Sequence, residues 1–423
     1  MNTFERLYAG ELDGLVAALY GNSRLEEKKN RIYKAAEQFK ALYGAEEELR
    51  LFSAPGRTEI GGNHTDHNHG CVLAGSVDLD VIAVAAFHDN GVVRIKSEGY
   101  DMDTVNLNEL DIHPEENNKA IALIRGILAR FQQLGYQIGG FDAYTTSNVL
   151  KGSGLSSSAA FEVLIGRILS EGYNDGKVDA VEIAQIAQYA ENVYFGKPCG
   201  LMDQMASSVG GIITIDFADP QTPLIEKVDF DFTESGYALC IVDTGGNHAD
   251  LTHEYAAIPA EMREIADSMG CEYLRETSLS AVLEKAAELR AKHGDRALLR
   301  AVHFLKDNER VGKQVDALRE NDFSRFLKLV IESGESSYCY LQNVYSCSNP
   351  KEQGLSVALC LAEDLLSDKG GAWRVHGGGF GGTTQNFVPL SMLESFQNRM
   401  EAVFGAGSCH VLSIRPYGGI EIK

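Results

Sequence analysis

The sequence predicts an α+β protein of two domains, and three observations carry that expectation. At 423 residues the chain is longer than one hydrophobic core ordinarily serves. Helix-period and strand-type segments are intermixed without the strict alternation of a βαβ protein. At about Leu51 the pattern changes sharply, from apolar residues at helix spacing to continuous apolar runs. The expected division is an N-terminal domain over 1–220, with a helical extension over 1–48, and a C-terminal domain over 221–423.

The elements follow in order. Leu12, Leu15, Val16 and Leu19, then Ile32, Ala35, Phe39 and Leu42, recur at helical spacing around a Gly21-Asn22-Ser23 break. Val81 to Phe87 and Val92 to Ile95 read as strands. A helix is predicted over 119–134, stopped by Gly135, then a strand over 141–146 and a helix over 157–172. A further helix over 181–194 ends at Gly196-Lys197-Pro198. Residues 210–243 read as strands again. Beyond them, helices are predicted over 259–269, 280–292, 323–332 and 355–366, with strands over 372–376 and 385–389.

Composition narrows the function. An apolar fraction of 44% with 23% charged residues is that of a globular protein. The net charge of −22 provides no basic field for nucleic acid or an anionic membrane. An acidic protein that handles phosphate must use local devices: backbone N–H groups, helix N-termini and a divalent cation. The eight cysteines form no C-x-x-C pair. The start, Met1 to Gly10, carries Glu5 and Arg6 and no apolar run, so a cytoplasmic protein with free thiols is expected. Nor does any stretch approach the ~18 apolar residues of a membrane span. No nucleic-acid or membrane partner is expected, and a monomer is the favoured state.

Three glycine-rich sites hold the chemistry. The first, residues 54–70, packs Arg57, Glu59, Asn63, His64, Asp66, His67, Asn68 and His69 among four glycines. Polar groups at that density rarely serve packing. His64, Asp66, His67 and His69 could ligate a metal, as in a metal-dependent hydrolase; alternatively the Asn, His and Asp side chains could hydrogen-bond a polyhydroxylated substrate. The second site, Lys151-Gly152-Ser153-Gly154-Leu155-Ser156-Ser157-Ser158, lies between a strand and an apolar helix. Glycines admit a close anion, the helix presents free N–H groups, and serine hydroxyls can reach phosphate or magnesium. It is a phosphate cradle without the Walker A pattern. The third, His376 to Thr384, contains G-x-G-x-x-G but runs into a strand, whereas a dinucleotide fingerprint needs a helix there. Glu191 and Asp203 flank the turn Gly196 to Met202; beside a magnesium–nucleotide site, one could ligate the metal and the other accept a hydroxyl proton.

Taken together and in this order, the sites resemble the three motifs of the GHMP small-molecule kinases. The first, reading G-R-T-E-I-G-G-N-H-T-D-H-N-H-G, is similar to the sugar-kinase motif G-R-x-N-x-I-G-E-H-T-D-Y-N-x-G. The second resembles G-G-G-L-S-S-S-A and the third G-G-G-F-G-G, while Pro198 to Gln204 resembles P-C-G-I-M-D-Q. The resemblance spans about 50 to 390. It implies an N-terminal domain like domain 2 of ribosomal protein S5, a C-terminal ferredoxin-like domain, and an active site between them. It implies ATP-dependent phosphorylation of the anomeric hydroxyl of galactose. ATP phosphates would sit at Gly152, Ser153, Gly154, Leu155, Ser156, Ser157 and Ser158, and Mg²⁺ at Ser158 and Glu191. Asp203 would be the base, with Arg57 keeping it ionised and stabilising the transferring group. The sugar would be held by Asn63, His64, Asp66, Gly200, Asp203 and Tyr255, and the Gly377 to Gly382 loop would lie near phosphates and substrate. The sequence departs at Asn63, where the motif has a glutamate that contacts the C6 hydroxyl, and at Glu59, Gly61 and His67. A related aldose, an amino sugar, a uronic acid, or a sugar-binding relative without catalysis therefore stay open.

Overall fold

The computed structural model describes residues 3–44, 48–149, 154–246 and 251–423. Three helices lead: α1 (Thr3–Tyr8), α2 (Asp13–Tyr20) and α3 (Leu25–Tyr43). Then come β1 (Arg50–Gly61), β2 (Cys71–His88), β3 (Val92–Ser97), β4 (Met102–Asn106), α4 (Ala120–Gln133), β5 (Gly140–Ser147), α5 (Ser157–Tyr173), α6 (Ala180–Tyr189), α7 (Met202–Val209), β6 (Ile212–Asp216), β7 (Leu224–Val228) and β8 (Tyr237–Asp243). Helices dominate the next stretch: α8 (Thr252–Met269), α9 (Leu279–Glu284), α10 (Ala286–His293), α11 (Asp295–Arg319), α12 (Phe323–Ser336) and α13 (Gly354–Leu366). The chain closes with β9 (Ala372–Val375), β10 (Thr383–Pro389), α14 (Leu393–Phe404), β11 (Cys409–Leu412) and β12 (Ile420–Ile422). Among these residues no helix is long and apolar enough to cross a membrane.

The described strands form two sheets. The larger runs β12-β1-β2-β5-β3-β4, with β6 and β7 joined to the far end of β2; the smaller is β11-β8-β10-β9. The long β2 explains the unbroken apolar run at its centre. Val81, Ala83 and Ala85 face the core shared with α4, α5 and α6, whereas Ile82, Val84 and Ala86 face the core shared with α1 to α3. A strand alternates its side chains, so a run with no polar residue is what a sheet covered on both faces requires. The N-terminal extension is therefore the cover of the second face.

One buried carboxylate pins that cover. Asp80 pairs with Arg31 of α3 (2.5 Å) and accepts the Tyr20 hydroxyl of α2 (2.5 Å). On its other side it meets Arg415 at 3.3 Å and the Ser53 hydroxyl of β1. Asp80 and Arg415 are both fully buried.

The larger sheet crosses the expected cut after residue 220, whereas the four strands of the smaller sheet all lie beyond it. Strand β7 lies beyond that point and pairs with β6, and β12, at the end of the chain, pairs with β1 (Leu51↔Ile422). Local reading cannot detect a strand of three residues whose partner lies about 370 positions away. The helix predicted from Pro259 begins earlier, at Thr252, with the proline inside it, and the 25-residue α11 and the short α7 were not anticipated.

Candidate active site

The site begins where β1 breaks register. Its pairing with β2 shifts between Pro55 and Arg57, and again between Glu59 and Gly61; such bulges re-aim side chains out of the regular ladder. Between them the strand presses against the second glycine-rich site. The Arg57 N–H donates to the Leu155 carbonyl at 3.0 Å, and a Cβ on Gly56 would lie 2.7 Å from that same oxygen. Only glycine permits this approach.

Arg57, Asp203 and the serine turn meet there. Arg57 Nε donates to Asp203 Oδ1 at 2.7 Å, and its guanidinium also reaches the Gly154 carbonyl. Ser156 Oγ donates to Asp203 Oδ2 at 2.5 Å. Asp203 sits in the first turn of α7 with its side chain 31% exposed, so it faces a cleft and not the core. Burial works against its charge, yet Arg57 and the Ser156 hydroxyl hold the carboxyl below the usual carboxylate range. Ser156 has a left-handed backbone (φ 57°) and directly precedes α5, whose first turn carries Ser157 and Ser158. Three serines at the start of a 17-residue helix put hydroxyls beside free helix N–H groups, a placement that could receive an anion. Gly152 and Ser153 lie outside the described residues.

Beside them is a pocket of carboxylates. The Gln204 amide nitrogen donates to Glu191 Oε2 at 2.7 Å and to Glu162 Oε2 at 3.1 Å. Lys197 Nζ approaches Glu191 Oε1 at 3.4 Å. Glu162 Oε1 is buried without a hydrogen-bond partner, and burial with the nearby Glu191 charge pushes the Glu162 carboxyl well above its ordinary range. Two buried carboxylates bridged by one amide, with an oxygen left over, suit a cation better than they suit each other. Magnesium therefore fits here. Gln204 stood in the quoted motif without a role, while Glu162, one turn into an apolar helix, gave no signal of its own.

The third glycine loop closes the site from the smaller sheet. It is the turn between β9 and β10, which pair with each other (Thr384↔Val375). Its consecutive carbonyls are each taken by a side chain. Asn63 Nδ2 donates to Gly377 O at 2.7 Å, His64 Nε2 and Asn343 Nδ2 meet Gly378 O at 2.9 and 3.1 Å, and the Tyr255 hydroxyl donates to Gly379 O at 2.8 Å. Gly377 also reaches the second loop, since its Cβ would lie 3.9 Å from Gly154 Cα. All three glycine-rich sites converge.

Among the expected sugar contacts, Asn63 must be corrected. It is fully buried, and its amide is spent on the protein: Nδ2 donates to Glu59 Oε1 (2.9 Å) and Gly377 O, and Oδ1 accepts from Asn343 (2.8 Å) and Ser337 (3.2 Å). A side chain with its hydrogen-bonding capacity filled in this way is a strut between the two sheets and not a ligand to sugar. His64 and Asp66 remain at the cleft. His64 has φ 57°, and burial with its neighbour His67 lowers its imidazole to about 4, so it is neutral at pH 7. Asp66 abuts Gly200, where a Cβ would collide with Oδ2. Tyr255 packs edge-on against Phe380 at 5.4 Å. The metal-ligand reading of the histidines fails on geometry: the His69 ring stacks on Tyr273 at 3.6 Å while His64 turns to Gly378. Among the described residues no group of three or more metal-ligating side chains converges.

Comparison with known proteins places this geometry. The model for the GHMP kinases N terminal domain matches residues 121–211, and the galactokinase galactose-binding signature matches residues 37–87. A galactokinase from Streptomyces coelicolor is 33% identical over 373 residues, spanning 88% of this chain and 92% of its own. The chain belongs to the galactokinase family. A Thermotoga petrophila galactokinase is 34% identical over 78% of the chain and 86% of its own. Among solved structures, the Lactococcus lactis galactokinase complexed with galactose superposes with a TM-score of 0.78 at 24% identity, covering 92% of this chain and 99% of that one. A Methanococcus jannaschii mevalonate kinase follows the same fold at 0.62 and 15%, over 88% and 99%. The fold is thus the two-part α+β fold of the GHMP kinases.

The buried Glu59–Asn63 pair has a pH consequence. Glu59 also accepts from Arg374 at 2.7 Å, and burial pushes its carboxyl up to about 6. Sugar KM is expected to rise as pH falls from 7 through 6, when protonation breaks the Arg374 pair, while KM for MgATP stays level. Glu59→Gln should show a weakened but pH-independent sugar KM; steady-state kinetics between pH 5 and 8 checks this. The effect on folding has the opposite sense. A carboxyl raised above its unfolded value favours the fold below about 4.5, and that contribution is lost as pH rises through about 6.

Proposed function

We propose that this chain transfers the γ-phosphoryl group of MgATP to the anomeric hydroxyl of galactose, giving galactose 1-phosphate. The observation that carries the reading is the junction of Asp203, Arg57 and Ser156, which sets a charged base, a cation and an anion-binding helix start around one cleft. Asp203 takes the proton of the C1 hydroxyl, the sugar oxygen forms a bond to the γ-phosphorus, the bond to the bridging oxygen breaks, and ADP leaves with its electrons. Arg57 keeps Asp203 ionised in the resting site and faces the charge that spreads over the transferring group. The α5 N-terminus with Ser157 and Ser158 receives phosphate oxygens. His64 and Asp66, with Gly200 clearing space beside Asp66, orient the sugar.

Ser158 and Glu191 would hold Mg²⁺, steadied by Gln204, Lys197 and Glu162; the ion, when bound, neutralises phosphate charge. Galactose is favoured because the curated relatives over most of the chain are galactokinases. A panel of free sugars at fixed MgATP, with products located by NMR, tests the reading. Phosphorylation of galactose at C1 supports it. Turnover of another aldose, an amino sugar or a uronic acid in preference would replace the substrate, and ATP-independent sugar binding alone would replace the chemistry.

A further inference from the structure

Helix α11 carries a stripe of buried polar residues. Arg300, His303, Asp307, Arg310 and Gln314 recur at intervals of three and four, the spacing that in a packed helix is normally apolar, and all are buried. Unpaired, such a stripe is costly, so its partners say what it is for. His303 and Asp307 close on one residue of the loop between β1 and β2. His303 Nε2 donates to the Asn63 carbonyl at 2.9 Å, its Nδ1 accepting the Ser336 hydroxyl at 2.9 Å, and Asp307 Oδ2 accepts the Asn63 N–H at 2.9 Å. Arg310 in turn pairs with Asp307. One turn further, Gln314 fills the space a side chain at Gly61 would take, so that a Cβ there would collide with its Oε1. At the far end of the loop Asn308 Oδ1 accepts the Cys71 N–H at 2.6 Å and would lie 2.8 Å from a Cβ on Gly70.

The loop is therefore gripped at its start, at residue 63 and at its end by one helix. The residue after the grip is His64, whose left-handed backbone is uncommon for a side chain of its size and must be held by its surroundings. We infer that α11 is the template of the sugar-binding loop, with His303 and Asp307 as positioning residues that fix the backbone of residue 63 and so aim His64 and Asp66 without touching substrate. The inference rests on the sugar-kinase reading for the identity of the ligand.

The test measures galactose affinity by calorimetry, separately from phosphoryl transfer, so that a failure of catalysis is registered apart from a failure of the template. His303→Leu and Asp307→Asn should each weaken galactose binding about tenfold, the scale of one lost hydrogen bond to a buried group, with MgATP affinity within about threefold of the parent. His303→Gln, which keeps a donor and an acceptor at similar reach, should recover most of the loss. Asn308→Ala, at a half-buried position, spares the core and should weaken galactose severalfold even where the buried variants fold poorly. Equal losses of galactose and MgATP affinity, or a lowered melting temperature with galactose affinity unchanged in all variants, would overturn the inference.

Discussion

Asp203→Asn is expected to lower kcat by about 10²–10⁴-fold, the usual contribution of a positioned general base, with little change in melting temperature or in the affinity for either substrate. The variant side chain keeps the volume of the original and an oxygen that can still accept from Arg57 Nε, and Ser156 can still hydrogen-bond the new amide. What it loses is the ability to take a proton. Because Arg57 holds the native carboxyl below the ordinary range, Asp203 is ionised throughout the neutral region, and the rise in sugar KM expected near pH 6 is assigned to Glu59 and not to the base. Rapid-quench transfer assays with galactose and MgATP, combined with calorimetric binding of each, check the split between chemistry and binding. A variant that turns over at the parental rate would remove the base from the mechanism.

Asp80→Ala is expected to destabilise the protein by about 3–5 kcal/mol, the cost of leaving buried cations without their partner. Arg415 is fully buried and Arg31 largely so, and both lose their counter-charge together with the Tyr20 and Ser53 hydroxyls that share it. The loss should appear first as release of α1 to α3, since Asp80 joins them to the sheet, and release exposes Ile82, Val84 and Ala86. Limited proteolysis within the first 48 residues, read against a thermal melt, distinguishes local detachment from global unfolding. The pH sense is set by the same residues. Burial would raise the Asp80 carboxyl, but Arg31 and Arg415 bring it down to about 2, so its stabilising contribution is present above about 4 and lost as pH falls through about 2. The Ala variant should lack this acid-side loss.

Much of this protein was legible in its amino-acid order because the chemistry lies in short, unusual strings. Arg57, the serine turn and Asp203 were assigned together, and the structure brings them into hydrogen-bond contact. The helix and strand periods from 51 to 195 were readable because β2 and its covering helices are long and strongly apolar. Asn63 misled because a polar residue in a substrate motif reads as a ligand, and nothing local says that Glu59, Ser337, Asn343 and Gly377 consume its amide. Helix α11 was overlooked for a related reason. Polar residues at three- and four-residue spacing are ordinarily a solvated face, and only packing against the β1–β2 loop turns that face inward.

The sequence by itself determined the kind of chemistry, since glycines, serines and carboxylates at fixed short spacing can cradle phosphate and move a proton wherever the rest of the chain goes. Tertiary structure decided which of those groups face the cleft and which are scaffold: that Glu162 joins Glu191, that Asn63 is a strut, and that β12 returns to β1. Burial and long-range partnership set these outcomes, and both are properties of residues far apart in the chain, which no window along it contains.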